Sequence, residues 1–191
     1  MNFQICFKHR MKKGEQMQIE TERLIIRPFR AEDEPALYEY LSDAEVVRYE
    51  PYHPMSMEEV RAEAVRRAED KSFWAVCKKN GTLIGNLYFD KGDLNTWELG
   101  YVFNRRYWKQ GYAYESAWAL LDLAFREWDV RRVTAMCDPE NTASWRLMER
   151  LGMRREGELK QNVYFFCDEE GNPIWKDTYE YGLLREEWKQ R

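Results

Sequence analysis

The sequence predicts a single mixed α/β domain. Alternating apolar and polar residues run from Phe73 to Lys78 and from Leu83 to Phe89 with Asn80-Gly81 between them, the pattern of an antiparallel hairpin. A helical stripe, Ala117, Leu120, Leu121, Ala124, Phe125 and Trp128, then marks a long amphipathic helix that needs a sheet to cover its apolar side. Strand-like and helix-like stretches alternate over 191 residues, about 1.3 times a usual domain length, so one domain with an extension is expected rather than two.

Each element has its own signal. Leu24 to Phe29 reads as a strand that Pro28 marks as an edge or an end. Ala36, Leu37, Tyr40 and Leu41 recur at helical spacing, and Pro35 is tolerated in the first turn of that helix. After the loop Y-E-P-Y-H-P, Ser56 and Glu59 form a capping box that opens a charged, mostly solvated helix to about Asp70. Beyond the hairpin, a turn at Asp90 to Asn95 leads into a central strand, residues 96 to 103, in which Gly100 points to a bulge or a close backbone approach. The loop N-R-R-Y-W-K-Q precedes the long helix, Gly111 to Trp128. A strand follows from Val130 to Cys137, then a helix from Ser144 to Leu151 that Gly152 stops, and strands from Asn162 to Cys167 and from Ile174 to Leu183 around the turn D-E-E-G-N-P.

Residues 1–16 carry a basic excess, whereas the remainder is acidic and strongly patterned, so the domain is expected at 17–191. Two readings of the opening segment stand: a disordered basic arm, or a start codon placed too early, with Met17 as the true first residue. A peptide from residues 1–10 in protein made from the native locus would exclude the second.

The composition excludes several classes of function. A net charge of −4 argues against a protein that coats nucleic acid by neutralising phosphates, and a small neutral or cationic partner fits better. The 4 cysteines, Cys6, Cys77, Cys137 and Cys167, are too scattered for a disulfide framework or a C-x-x-C metal site, and read as reduced thiols of a cytoplasmic protein. The 2 histidines, His9 and His53, cannot build an H-E-x-x-H site, so no metal is expected. No apolar run approaches the roughly 20 residues that span a bilayer, and no membrane partner is expected.

Chemistry is best placed where the strand of Glu98 passes through Q-G-Y-A-Y-E, Gln110 to Glu115, into the long helix. A helix start leaves about four N–H groups without partners and carries roughly half a positive charge, and a glycine there lets a diphosphate approach the backbone. Neither the Walker pattern nor G-x-G-x-x-G is present, so ATP and NAD are poor fits.

Taken together, I-E-T-E-R-L-I-I-R-P-F, E-L-G-Y-V-F, Y-W-K-Q-G-Y-A-Y-E-S, N-T-A-S-W-R-L-M-E-R-L-G-M and Y-E-Y-G-L-L-R-E-E-W resemble the GNAT acetyltransferase superfamily, in particular its ribosomal-protein N-terminal acetyltransferase branch. The likeness spans Met17 to about Trp188. It implies a mixed, mostly antiparallel twisted sheet with splayed central strands flanked by helices. Acetyl-CoA would lie between those strands, its diphosphate on the backbone of Gln110, Gly111, Tyr112, Ala113 and Tyr114 and its pantetheine arm beside Val102 and Phe103. The superfamily pattern Q/R-x-x-G-x-G/A is met by Gly111 and Ala113 but begins here with Trp108. Asn141 and Ser144 resemble the branch's N-x-x-S element, in which the asparagine holds pantetheine and the serine lies near the sulfur; Asn141 is equally a good helix cap. Where many members carry a tyrosine on this helix, the sequence offers Trp145.

The resemblance implies transfer of acetyl to a primary amine by direct attack through a tetrahedral intermediate, a protein N-terminal α-amine being favoured and a small-molecule amine being the alternative. A homodimer is compatible with it. An amine whose pKa is near 10.4 arrives protonated, so a carboxylate or a water chain must take a proton, and Glu98 on the strand of the cleft is the candidate carboxylate, its other reading being a solvent-facing strand residue. Ser144 is the candidate acid for the departing thiolate, and a backbone N–H near Val102 the candidate donor to the carbonyl oxygen. Cys137 has no histidine nearby in sequence to activate it, which disfavours a ping-pong route. Tyr38, Tyr40, Tyr49, Tyr52, Trp74, Tyr88 and Trp97 read as core or as an acceptor pocket; Arg105, Arg106 and Lys109 read as a solvated turn or as phosphate contacts. A function of another class also stands: an acyl-CoA-binding sensor without turnover. A single-strand nucleic-acid binder conflicts with the acidic balance.

Overall fold

The architecture follows from where one sheet changes the direction of its strands. In the computed structural model, which describes residues 8–9 and 17–189, the chain runs β1 (Lys8–His9), β2 (Ile19–Glu20), β3 (Leu24–Pro28), α1 (Glu34–Leu41), α2 (Met57–Glu69), β4 (Phe73–Lys78), β5 (Leu83–Lys91), β6 (Thr96–Phe103), α3 (Tyr112–Glu127), β7 (Arg132–Cys137), α4 (Thr142–Leu151), β8 (Arg154–Cys167), β9 (Pro173–Leu184) and α5 (Arg185–Lys189). The described strands form a 9-stranded sheet in the order β1-β2-β3-β4-β5-β6-β7-β9-β8. Neighbours are antiparallel except β6 and β7, which run parallel because α3 carries the chain back between them. Of the opening segment, Lys8–His9 pairs with Ile19–Glu20; the rest of residues 1–16, with the two readings of it, lies outside the described residues.

The parallel pair is short. Thr96 pairs with Arg132, Trp97 with Val133 and Glu98 with Thr134, after which β6 continues to Phe103 and β7 to Cys137 without meeting. The splayed pair expected from the family resemblance is therefore present, and it opens a cleft at the C-terminal ends of both strands. Past Glu98, β6 has a ladder only toward β5, so main-chain groups on its other edge face the cleft.

Each face of the sheet has its own core. The apolar stripe of α3, Leu120, Leu121, Ala124 and Phe125, packs with Ile26, Leu87, Leu99, Val133 and Leu183. Leu37, Tyr40 and Leu41 of α1 and Val60 and Ala64 of α2 pack with Ala75, Cys77 and Leu83 on the opposite face. Each such large side chain contributes about 1.5–3 kcal/mol on burial. The predicted capping box opens α2: Ser56 N–H donates to Glu59 Oε2 at 2.7 Å and Glu59 N–H to Ser56 Oγ at 3.3 Å. The helix is less solvated than its charge suggests, because Val60, Ala64 and Arg67 are buried.

Gly100 marks a close approach and not a bulge. The β5–β6 register runs unbroken through it, and a Cβ there would stand 3.3 Å from Tyr88 Cβ. The penultimate strand starts at Arg154, earlier than the predicted Asn162. Its first half, R-R-E-G-E-L-K-Q, forms the sheet edge with mostly exposed side chains, several of them ion-paired to one another, so it has no apolar alternation to read. Arg185–Lys189 adds a short helix whose Trp188 is buried against Phe125.

Candidate active site

The cleft holds a cavity of about 530 Å³, within the range of small-molecule sites. Its walls come from β6 (Tyr101, Val102, Phe103), the loop before α3, the first turn of α3, the start of α4, and the segment from Glu45 to Glu50. β6, the loop and the first turn of α3 are consecutive in sequence, whereas the start of α4 and the Glu45–Glu50 segment come from elsewhere in the chain.

One end of the cavity is lined by backbone. Gly111 caps α3 at φ 82°, a left-handed conformation that glycine adopts without strain, and both Gly111 and Tyr112, Ala113 and Tyr114 line the cavity. The first intrahelical bond runs from Glu115 N–H to the Gly111 carbonyl, so the N–H groups of Gly111 to Tyr114 have no acceptor within the helix. This is the donor set a diphosphate needs. The turn is anchored from below: buried Glu115 accepts from Thr21 Oγ1 at 2.5 Å, Arg23 N–H at 3.1 Å and Arg23 Nε at 2.6 Å. Arg23 also lies over the Tyr112 ring and donates to the Gln110 carbonyl at 3.0 Å. A Cβ on Gly111 would come within 3.4 Å of the Arg23 guanidinium.

Gln110 itself is exposed and outside the cavity wall; its side chain donates to the Arg106 carbonyl. Trp108, the departure from the superfamily pattern, lines the cavity and donates its indole N–H to the Phe103 carbonyl at 2.7 Å, fastening the loop to the end of β6. Of the basic turn, Lys109 faces the cavity, whereas Arg105 pairs with Asp43 and Arg106 with Glu39. Arg146 and Arg150, one turn apart on α4, complete a cationic rim that sequence reasoning missed. Their spacing was visible, but only the cleft brings α4 opposite α3.

Midway along the cavity stand the sequence-predicted Val102, Phe103, Asn141 and Ser144. Asn141 caps α4, accepting the Ser144 N–H at 3.1 Å, and lies in the wall as well, so both readings of it hold together. The Ser144 hydroxyl is 3.0 Å from that of Tyr101, which also donates to the Ser144 carbonyl at 3.1 Å. Burial raises the pKa of Tyr101, which keeps the phenol protonated at neutral pH. Trp145, next to Ser144 on α4, carries no hydroxyl, and Tyr101 of β6 brings one beside Ser144. Cys137 also neighbours Ser144, and burial pushes its thiol up to about 11.

The segment before α2 adds Glu45, Val46, Tyr49 and Glu50 to the wall, none of which the sequence singled out as a catalytic group. Glu50 is half-buried and its carboxyl is pushed up to about 7, chiefly by burial, against the opposing effects of the Arg67 charge and a hydrogen bond from Tyr52. Glu98 lies elsewhere. It is exposed in the zipped part of the β6–β7 pair, opposite Thr134 on one side and Asp90 on the other, and is not in the cavity wall. It precedes Val102 by four strand residues, about 13 Å at the usual rise. Among the described residues, no group of three or more His, Cys, Asp or Glu side chains could hold a metal ion.

Comparison with known proteins decides the family. The family model for the acetyltransferase (GNAT) domain matches residues 23–154. The chain belongs to the GNAT acetyltransferase family. It is accordingly an acetyl-CoA-dependent N-acetyltransferase, and the free N–H groups and cationic rim of this cleft fit that cosubstrate. An uncharacterized N-acetyltransferase, YnaD, from Bacillus subtilis (strain 168) is 40% identical over 176 residues, covering 90% of this chain and 99% of the relative. The crystal structure of a GNAT-family acetyltransferase from Bacillus anthracis superposes with a TM-score of 0.80 at 39% identity, covering 89% of this chain and 99% of the other. Two more distant structures share the fold: a ribosomal-protein-S5-alanine acetyltransferase from Vibrio fischeri, at 19% identity and TM-score 0.72, covering 90% of this chain and 98% of that one, and a spermidine N-acetyltransferase from Vibrio cholerae in complex with CoA and spermine, at 17% and 0.72, covering 87% and 98%.

Proposed function

We propose that this enzyme transfers acetyl from acetyl-CoA to a primary amine by direct attack inside the β6–β7 cleft, and that the acceptor is the α-amine of a protein chain. The observation that carries the mechanism is the pairing, in one cavity, of N–H groups without helix acceptors at Gly111 to Tyr114 with the Tyr101–Ser144 hydroxyl pair at its middle. Residues 111 to 114 bind the diphosphate, Lys109, Arg146 and Arg150 screen its charge, and the open edge of β6 with Asn141 lines the pantetheine track. The thioester then lies beside Ser144, whose hydroxyl protonates the departing thiolate while Tyr101 holds it in place.

A raised thiol pKa leaves Cys137 protonated at neutral pH, which supports direct attack over an acyl-cysteine route. The preference for a protein α-amine rests on the segments shared with the ribosomal-protein branch; distant structures of that type and of the polyamine type resemble this fold equally well. Free Cys77, Cys137 and Cys167 suit a reducing compartment such as the cytoplasm, and no described helix is long and apolar enough to cross a membrane.

Thiol release from acetyl-CoA, followed over Ala- and Ser-initiated peptides, spermidine, an amino sugar and free amino acids, tests the assignment. Release with a peptide and weaker release with the others is expected. Ser144→Ala should lower kcat about 10- to 100-fold with the CoA dissociation constant changed less than threefold. CoA binding by calorimetry with no release for any amine would instead identify a sensor.

A further inference from the structure

The core beside the Glu50 wall of the cavity holds a charge network that the transfer reaction as described leaves unused. Arg67 is 2% exposed, an arginine inside the core between α2 and the sheet. Its Nε donates to Glu63 at 2.7 Å and its NH1 to Asn86 Oδ1 at 3.0 Å, an oxygen that also accepts from the buried Tyr40 hydroxyl at 2.9 Å. Its guanidinium lies 4.6 Å from the Phe73 ring centroid. Tyr52 packs against the same core as Tyr40, and the Arg67 charge acts on both Tyr52 and Glu50. Glu50 is the member of the network that reaches the cavity, where Tyr49 flanks it and Tyr101 and Ser144 stand in the same wall. A carboxylate would not be kept half-buried at the end of such a chain without a cost in desolvation, which a cation arriving in the cavity offsets.

Resting on the function proposed above, we propose that Glu50 is the proton acceptor for the incoming amine, with Tyr52 and Arg67 as its positioning residues, and that the acceptor therefore enters as an ammonium ion. The ammonium gives one proton to the Glu50 carboxylate. The freed nitrogen lone pair forms the C–N bond to the thioester carbonyl carbon, and the C–S bond breaks with its electron pair on sulfur. Ser144 supplies the proton that sulfur takes and recovers one from the nitrogen, which leaves as a neutral amide. Glu50 returns its proton to water. The cavity wall carries acids for such a substrate as well as cations: Glu45, Glu50 and Glu140 line it along with Lys109, Arg146 and Arg150.

The groups that set the charge on Glu50 are Arg67 from α2, Tyr52 from its own segment and Tyr101 from β6, with Glu63 bound to Arg67 behind them. Arg67 and Tyr52 both favour the carboxylate form while burial opposes it, which places its titration near neutrality. A base that must be ionised gives a kcat/KM that rises with pH to about 7 and then levels until the amine itself titrates.

The test compares Glu50→Gln, Glu50→Asp and Tyr52→Phe with the parent enzyme, using the best amine of the panel above and CoA calorimetry on the same preparations. Glu50→Gln should lose about 100-fold in kcat/KM at pH 7 with CoA affinity intact, and its remaining rate should keep rising with pH as free amine accumulates. Glu50→Asp should recover part of the rate. Tyr52→Phe removes a hydroxyl that favours the carboxylate form and should move the rising limb to higher pH. Glu50→Gln with the parental rate and pH profile overturns the proposal. NMR titration of 13C-labelled glutamate carboxyls reads Glu50 without any acceptor: titration near neutrality supports the assignment, and titration in the ordinary carboxylate range overturns it. Failure of the parent protein to bind CoA, or to turn over any amine, would remove the function proposed above and is read separately from the Glu50 titration.

Discussion

At the α3 end of the cleft the recognition groups are main-chain N–H donors from consecutive residues, Gly111 to Tyr114, whereas at the Glu50 end they are side chains gathered from α2, β6 and the segment before α2. The first end is stiff because one salt-bridged cluster, Thr21, Arg23 and Glu115, fixes a single helical turn. The second brings the charge of a buried arginine to bear on a carboxylate of the cavity wall. A ligand shared by a whole family can be held by backbone geometry, which tolerates many sequences. The acceptor, which distinguishes members, is left to side chains.

The largest effect that would break this contrast is expected from Gly111→Asp. It forces a β-carbon and a negative charge into the turn that faces the diphosphate, and like-charge juxtaposition costs several kcal/mol, so CoA affinity measured by calorimetry should fall at least about 100-fold. Unchanged affinity would mean that the diphosphate sits elsewhere. Glu115→Gln probes the anchor beneath the same turn. It puts amide protons against the Thr21 and Arg23 donors, and a loss of about 2 kcal/mol, or roughly 4–8 °C in Tm, is expected together with a several-fold weaker CoA dissociation constant. A lower Tm with parental CoA affinity would separate the anchor from binding. The smallest effect is expected for Glu98→Gln, because that carboxylate is exposed and outside the cavity: less than a threefold change in kcat/KM. A large loss there would return the base to β6 and to a water chain.

Much of the site was legible before the fold was known. Gly111, Tyr112, Ala113, Tyr114, Val102, Phe103, Asn141 and Ser144 all line the cavity, because helix starts and strand ends are local features that short motifs record. Gln110 fell outside because its exposed side chain turns back to donate to the Arg106 carbonyl. Glu98 lies on the strand of the cleft but outside the cavity wall, because a strand enters the cleft only where its partner has diverged, and pairing with Thr134 keeps this position zipped. Glu50 was hidden in Y-E-P-Y-H-P, where an acid among aromatic residues and prolines looks like an ordinary surface loop.

The chain by itself determined the order and type of most of its elements, the capping box of α2 and the glycine that starts α3; these depend on neighbours a few residues apart. Tertiary structure alone decided where β6 and β7 separate, that Tyr101 meets Ser144, and that Arg67 is buried behind Glu50. Those facts join residues tens of positions apart, and burial and charge at such meeting points exist only once the sheet has brought its layers together.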